Sequence, residues 1–174
     1  VIEPSFTANY KGFTATLWFP LVSGFSVVYH NNPMDGEKIA QMAREHKSTL
    51  LLATPTFLLA YLRRAKKEDF ASLRLVITGA EKLKPKVADA FEEKFGVRPM
   101  EGYGATELSP VITLSIPDVK IDGVAQHGAK EGSVGHPIPG VAIRVVDPDS
   151  GAVLKSGEPG LLLVRGPNVM LGYL

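Results

Sequence analysis

Apolar and polar positions along the chain fall into two rhythms. The first runs to about residue 110 and alternates strand-like with helix-like segments. Phe25-Ser26-Val27-Val28-Tyr29 is a β-rich run, and Asp35 then stands as an N-cap before Ile39, Met42, Ala43 and His46 at helical spacing. Leu50-Leu51-Leu52-Ala53 is short and continuously apolar, the pattern of a strand buried on both faces. Thr56 is placed to cap a helix carrying Phe57, Tyr61 and Leu62 on one side. Leu73 to Thr78 is a second buried strand, closed by Gly79. Pro85 suits the first turn of a helix, Val87, Ala88, Phe91 and Phe95 form its apolar stripe, and Gly96 is a fitting C-terminal cap. Val97 to Glu101 reads as the next strand. This order predicts parallel strands joined by right-handed crossovers.

The second rhythm has no long helix. Val111 to Ser115, Val141 to Asp147 and Leu161 to Arg165 read as strands, and Pro148-Asp149-Ser150-Gly151 is a turn signal that pairs the last two as an antiparallel hairpin. Residues 117–132 are polar and glycine-containing and read as a long surface loop. The predicted class is α/β: a parallel-sheet βαβαβ unit followed by a smaller, mostly antiparallel β portion. The division falls into an α/β subdomain over 1–115 and a β-rich portion over 116–174 that is truncated at its C-terminal end. No internal repeat or low-complexity tract is present.

Composition narrows the function classes. Of 174 residues, 45% are apolar and 21% charged, as in ordinary globular proteins. The 19 basic and 18 acidic side chains leave a net charge of +1, which argues for no nucleic-acid partner. With no cysteine, disulfide and thiolate chemistry are excluded, and the composition fits a reducing compartment such as the cytoplasm. No apolar run is long enough to span a bilayer. No signal-peptide pattern or initiator Met opens the chain, and both ends read as cuts through a longer protein.

In open parallel sheets, ligands bind beyond the carboxyl ends of the strands. Thr78-Gly79-Ala80-Glu81 and Glu101-Gly102-Tyr103-Gly104-Ala105-Thr106-Glu107 occupy that place after successive strands. If those strands are neighbours, the two segments line one crevice. Gly102 and Gly104 permit close approach of backbone to a ligand, and Tyr103 offers a flat face for a purine. Thr106 offers a hydroxyl to a phosphate oxygen. Glu107 offers a hard oxygen ligand for Mg²⁺, the ion that accompanies ATP phosphates. The plainer alternative is a glycine-rich turn with a capping threonine. A dinucleotide fold is disfavoured, because no Gly-x-Gly-x-x-Gly joins a first strand to a helix.

The string from Glu101 to Glu107 resembles the central adenylate-binding motif of the AMP-forming adenylating enzymes. That superfamily includes acyl-CoA synthetases, firefly luciferase and peptide-synthetase adenylation domains. Thr78-Gly-Ala-Glu81 resembles its adenine-side loop, and Gly132-Ser-Val-Gly-His-Pro-Ile-Pro-Gly140 the glycine-proline segment that follows. Gly160-Leu-Leu-Leu-Val-Arg-Gly-Pro-Asn-Val-Met-Leu-Gly-Tyr173 resembles the next motif downstream. The wording Val76-Ile-Thr-Gly-Ala-Glu-Lys-Leu83 is most similar to the acyl-acyl carrier protein synthetase branch, which includes bifunctional enzymes that are also 2-acylglycerophosphoethanolamine acyltransferases.

The resemblance implies an internal fragment of the large N-terminal domain of an ATP-dependent fatty acid ligase. Its reaction makes acyl-AMP and then passes the acyl group to the thiol of CoA or of a phosphopantetheine carrier. Thr106 and Glu107 are the implied catalytic residues, Thr106 at the α-phosphate and Glu107 holding Mg²⁺. Gly79, Ala80, Glu81, Glu101, Gly102, Tyr103, Gly104, Ala105 and Thr106 are implied to bind ATP or AMP. The resemblance also implies a fatty acid or other carboxylic acid as substrate, an acyl carrier protein as a candidate partner, and a parent protein at the inner membrane face. The family's phosphate loop, ribose-binding Asp and lid Lys have no counterpart in the 174 residues, so the fragment alone is expected to be inactive, a non-catalytic nucleotide- or acyl-binding module. Asn9 falls where fatty-acid members carry an aromatic-His segment.

Other residues take plainer readings. His136 in its glycine-rich loop reads as structural, and His30, His46 and His127 share no metal-ligand spacing. Trp18 with Phe13, Leu17 and Phe19 reads as core, with an acyl-tunnel wall as the alternative. Arg63, Arg64, Lys66 and Lys67 read as a solvated helix end, with docking of an acidic carrier protein as the alternative.

Overall fold

The structure, a computed structural model, describes residues 2–3 and 13–174. Its centre is a parallel sheet. In chain order the strands are β1 (Ile2–Glu3), β2 (Val28–Tyr29), β3 (Leu50–Ala53), β4 (Leu75–Thr78) and β5 (Met100–Tyr103). They lie side by side as β2-β1-β3-β4-β5, every neighbouring pair parallel. Beyond β5 the direction reverses: β6 (Thr113–Leu114) and β9 (His136–Pro137) extend the same sheet in antiparallel pairing. The chain is therefore mixed α/β, as its sequence pattern predicts.

After a wide helical turn over Phe13–Trp18 come helices α1 (Phe19–Ser23), α2 (Gly36–Glu45), α3 (Pro55–Arg64) and α4 (Pro85–Phe95). Asp35 caps α2 as expected, its carboxylate accepting from the Lys38 amide at 3.1 Å. His46 stands just past the end of that helix and is exposed. The cap of α3 is Thr54 rather than Thr56: its hydroxyl accepts from the Phe57 amide, and Pro55 takes the first helical position, where a missing N–H is harmless. Pro85 and Gly96 sit where the sequence places them, Gly96 in the left-handed conformation with φ 77°.

The core lies between the sheet and α2, α3 and α4. Leu51 and Val76 pair in register and are fully buried beneath Ile39, Leu58 and Phe91. Tyr61, Phe70, Phe91 and Phe95 form a continuous aromatic cluster with centroids 4.6–6.2 Å apart. The expectation that β3 and β4 are buried on both faces is corrected. Leu50, Leu52, Leu75 and Ile77 alternate with the buried residues and are only half-buried, because the helices packed on this sheet share one face.

Three other expectations shift. The run from Phe25 shortens to Val28–Tyr29. The strand expected over Val97 to Glu101 moves to Met100–Tyr103, since Gly96 ends α4 and Pro99 has no N–H for a ladder. Residues 117–132 are not wholly loop: β7 (Val119–Ile121) and β8 (Val124–Gln126) form a small hairpin about Asp122-Gly123, both at positive φ. The hairpin predicted downstream is present as β10 (Ala142–Val146) and β11 (Leu161–Arg165), five residues paired in register. Asp147 organises the turn after β10 by accepting from the amides of Asp149 and Ser150 and from the Ser150 hydroxyl. No helix among the described residues is long and apolar enough to cross a membrane.

Candidate active site

The two motif segments do meet. β4 and β5 are parallel neighbours, with Thr78 opposite Glu101, so the segments leave the same edge of the sheet. A methyl group on Gly79 would lie 3.4 Å from the Gly102 carbonyl, so the backbones run in contact. Two side chains fix the relation. Thr78 donates its hydroxyl to the Met100 carbonyl at 3.1 Å, and Glu101 accepts from the Leu83 amide at 2.9 Å. Glu101, read as a ligand residue, thus spends one carboxylate oxygen holding the Thr78–Leu83 loop.

Within that loop Ala80 has φ 72°, a left-handed conformation that a non-glycine residue adopts at a cost of about 1 kcal/mol. Glu81 is exposed and accepts a hydrogen bond from Thr56, 2.6 Å away at the start of α3. The start of α3 and the loop after β4 are therefore tied together at the carboxyl edge of the sheet. No local pattern in the sequence points to that tie.

At the end of β5, Tyr103 is 44% exposed, so its ring is open to a stacking partner. Gly104 also answers a packing need. A methyl group there would stand 1.8 Å from the Pro110 carbonyl oxygen, so the glycine makes room for the chain's own return. Thr106, Glu107 and Leu108 then form a single tight turn, ended by Ser109 at φ 46°. Thr106 and Glu107 are both exposed. The backbone amide of Glu107, and after it the Tyr173 hydroxyl, hold the Glu107 carboxyl below its ordinary range. Tyr173 is correspondingly pushed above the ordinary phenol value, because its proton is shared with a carboxylate.

The donor set suits a hard cation. No cluster of three or more His, Cys, Asp or Glu side chains stands together among the described residues. One ionised, solvent-facing carboxylate beside a threonine hydroxyl is what Mg²⁺ requires when phosphate oxygens and water supply the rest of its octahedron.

The downstream motif closes over this turn. Met170 donates its amide to the Glu107 carbonyl at 2.9 Å. The Asn168 side chain donates to the carbonyls of Leu108 and Val111, and Tyr173 donates to Glu107. Asn168 and Tyr173 lie inside a motif that the sequence singled out, yet nothing in the spacing showed which residues they would meet.

Other sequence candidates do not join the site. His136 lies in β9, with its ring bonded to the His127 carbonyl at 2.9 Å, in keeping with a structural role. His127 pairs with Asp118 at the surface. Trp18 and Phe19 are 53% and 45% exposed, so the core reading of that stretch fails among the described residues. Phe19 instead lines, with Phe25, Tyr29, Lys47 and Arg74, an open cavity of about 1030 Å³ at the amino ends of β3 and β4, the edge opposite the two motif segments. Arg63, Arg64, Lys66 and Lys67 are exposed at the far end of α3, also away from the crevice. Asn9 and the side chain of Phe13 lie outside the described residues.

Known proteins resemble this chain in sequence and in fold. A family model described as AMP-binding enzyme matches residues 8–174. A long-chain-fatty-acid–CoA ligase of Yersinia pestis is 35% identical over 144 residues, covering 82% of this chain and 24% of the ligase. A p-hydroxybenzoic acid–AMP ligase, FadD22, of Mycobacterium marinum is 31% identical over 93% of this chain and 22% of its own length. The crystal structure of apo MatB from Rhodopseudomonas palustris superposes with a TM-score of 0.85 at 29% identity, covering 99% of this chain and 32% of that one. The chain thus spans about a quarter of the length of the curated relatives it matches.

Proposed function

Because the chain belongs to the AMP-binding enzyme family, we propose that the protein containing it is an ATP-dependent, AMP-forming acid–thiol ligase that acts on a fatty acid. The observation that carries this reading is the meeting of the Thr78–Glu81 and Glu101–Glu107 segments at one edge of the sheet, with Tyr103, Thr106 and Glu107 exposed there. In the first step the substrate carboxylate attacks the α-phosphorus of ATP and pyrophosphate leaves. In the second, a thiol attacks the acyl carbon and AMP leaves. Neither step needs a protein nucleophile; both need charge neutralised and groups held in line.

Each residue has a role in this scheme. Tyr103 stacks on the adenine, with Gly79, Ala80 and Glu81 on the other side of the base and beside the acyl group. Thr106 donates its hydroxyl to an α-phosphate oxygen. Glu107 holds Mg²⁺, which when bound neutralises charge on the phosphates. The fatty-acid preference draws support from the Yersinia pestis relative, whose name carries that substrate. The acyl-acceptor thiol is that of CoA or of carrier-protein phosphopantetheine, a choice decided by assaying thioester formation on each. A cytoplasmic protein, bound at the membrane's inner face in its full length, fits this chemistry.

The test is pyrophosphate release by the full-length protein. Release dependent on ATP and fatty acid is expected, and Glu107→Ala is expected to suppress it by at least about 10²-fold, the usual loss when a charge-stabilising group is removed. A fully active Glu107→Ala protein would end the metal role.

A further inference from the structure

With Glu107 taken as the cation-facing carboxylate, as proposed above, its orientation depends on the groups that bond its side chain. The Tyr173 hydroxyl donates to Oε1 of Glu107 at 2.7 Å, across 66 residues of sequence. The contact does not stand alone. Met170 binds the backbone of Glu107 itself, and Asn168 spans the carbonyls of Leu108 and Val111 at 2.7 and 3.2 Å. Residues 168–173 therefore form a strap over the turn that carries Thr106 and Glu107, and Tyr173 is its last fastening.

Both side chains are solvent-exposed, so one such hydrogen bond adds little to stability. Its effect is directional. A glutamate on an exposed single turn has three side-chain torsions to settle. A donor fixed on one oxygen removes much of that freedom, and the carboxylate retains acceptor capacity on its other oxygen. Partners of this kind, which orient a metal-binding carboxylate without touching the metal, commonly change metal affinity 10–100-fold. We infer that Tyr173 is a positioning residue for Glu107, its hydroxyl holding the carboxylate ready for the divalent cation that arrives with the nucleotide.

The experiment compares Tyr173→Phe, Glu107→Ala and the double variant in the full-length protein, with Mn²⁺ as the probe ion. Mn²⁺ binding to the complex with α,β-methylene-ATP is followed by electron paramagnetic resonance, and the Mg²⁺ dependence of turnover is measured in parallel. Tyr173→Phe keeps the ring and removes the donor. It is expected to weaken Mn²⁺ binding roughly 10-fold and to raise the KM for Mg²⁺, with kcat at saturating Mg²⁺ and the thermal midpoint close to wild type. In the Glu107→Ala background the same change is expected to do nothing further. Wild-type Mn²⁺ affinity in Tyr173→Phe, with weakened binding in Glu107→Ala, overturns the role of Tyr173 and leaves that of Glu107 standing. An undiminished effect of Tyr173→Phe in the double variant also overturns it, by showing that the hydroxyl acts elsewhere. Wild-type affinity in Glu107→Ala overturns both assignments together.

Discussion

At the scale of single residues, Gly104 carries a packing constraint that its motif does not advertise. Its neighbourhood is glycine-rich and polar, which makes it legible as a ligand loop. Its own constraint is the Pro110 carbonyl, which a methyl group would meet at 1.8 Å. Gly104→Ala must therefore displace the return of the chain toward β6. The expected loss is about 1–3 kcal/mol of stability, read as a lower denaturant midpoint in the full-length protein, together with weakened nucleotide binding. Gly79→Ala is the informative contrast: its methyl would make an ordinary 3.4 Å contact with the Gly102 carbonyl, so the midpoint should hold. Equal midpoints for Gly104→Ala and wild type would remove the packing role. The roles proposed for Tyr103, Thr106 and Glu107 rest on residue type and order, which a sequence displays directly. The contacts Thr56–Glu81 and Tyr173–Glu107 were not legible, because they join residues 25 and 66 positions apart and no local pattern encodes them.

At the scale of elements, sequence periodicity recovered β3, β4, α2, α4 and the β10–β11 hairpin, and erred where a proline or a short exposed strand intervened. The start of α3 is the sharpest case. Thr54 and Thr56 flank Pro55, and only the first has the extended backbone and the hydrogen bond of a cap. Thr54→Ala is expected to destabilise by about 1 kcal/mol. Thr56→Ala should leave stability near wild type and release Glu81 instead, visible as a change in the KM for ATP or the acid. Reversal of those two outcomes would restore Thr56 as the cap. The β7–β8 hairpin had a readable signal in Asp122-Gly123 between β-branched residues. It was obscured because Val119, Ile121 and Val124 are all exposed, so no face of the hairpin follows the usual apolar-in, polar-out rule.

At the scale of the whole molecule, the sheet is covered unevenly. Its strands are apolar on both faces, yet helices seal only one, and the β10–β11 hairpin leaves Leu161 and Leu163 52% and 45% exposed. Apolar area of this extent calls for a cover. The 174 residues made on their own are expected to bind an apolar dye, to self-associate in sedimentation, and to release no acid-dependent pyrophosphate. A monodisperse, dye-negative preparation would show the half-open face to be self-sufficient. The strap also sets an order of events during folding. Closing the 66-residue interval to Tyr173 costs about 1 kcal/mol more chain entropy than closing the 25-residue interval between Thr56 and Glu81, and its reward is a few exposed hydrogen bonds rather than buried rings. The aromatic core and the parallel strands are therefore expected to assemble first, with the strap docking late and opening readily. Amides of the Thr106–Leu108 turn should exchange with solvent faster than those of β4, so that maturation of the site lags behind formation of the fold that carries it.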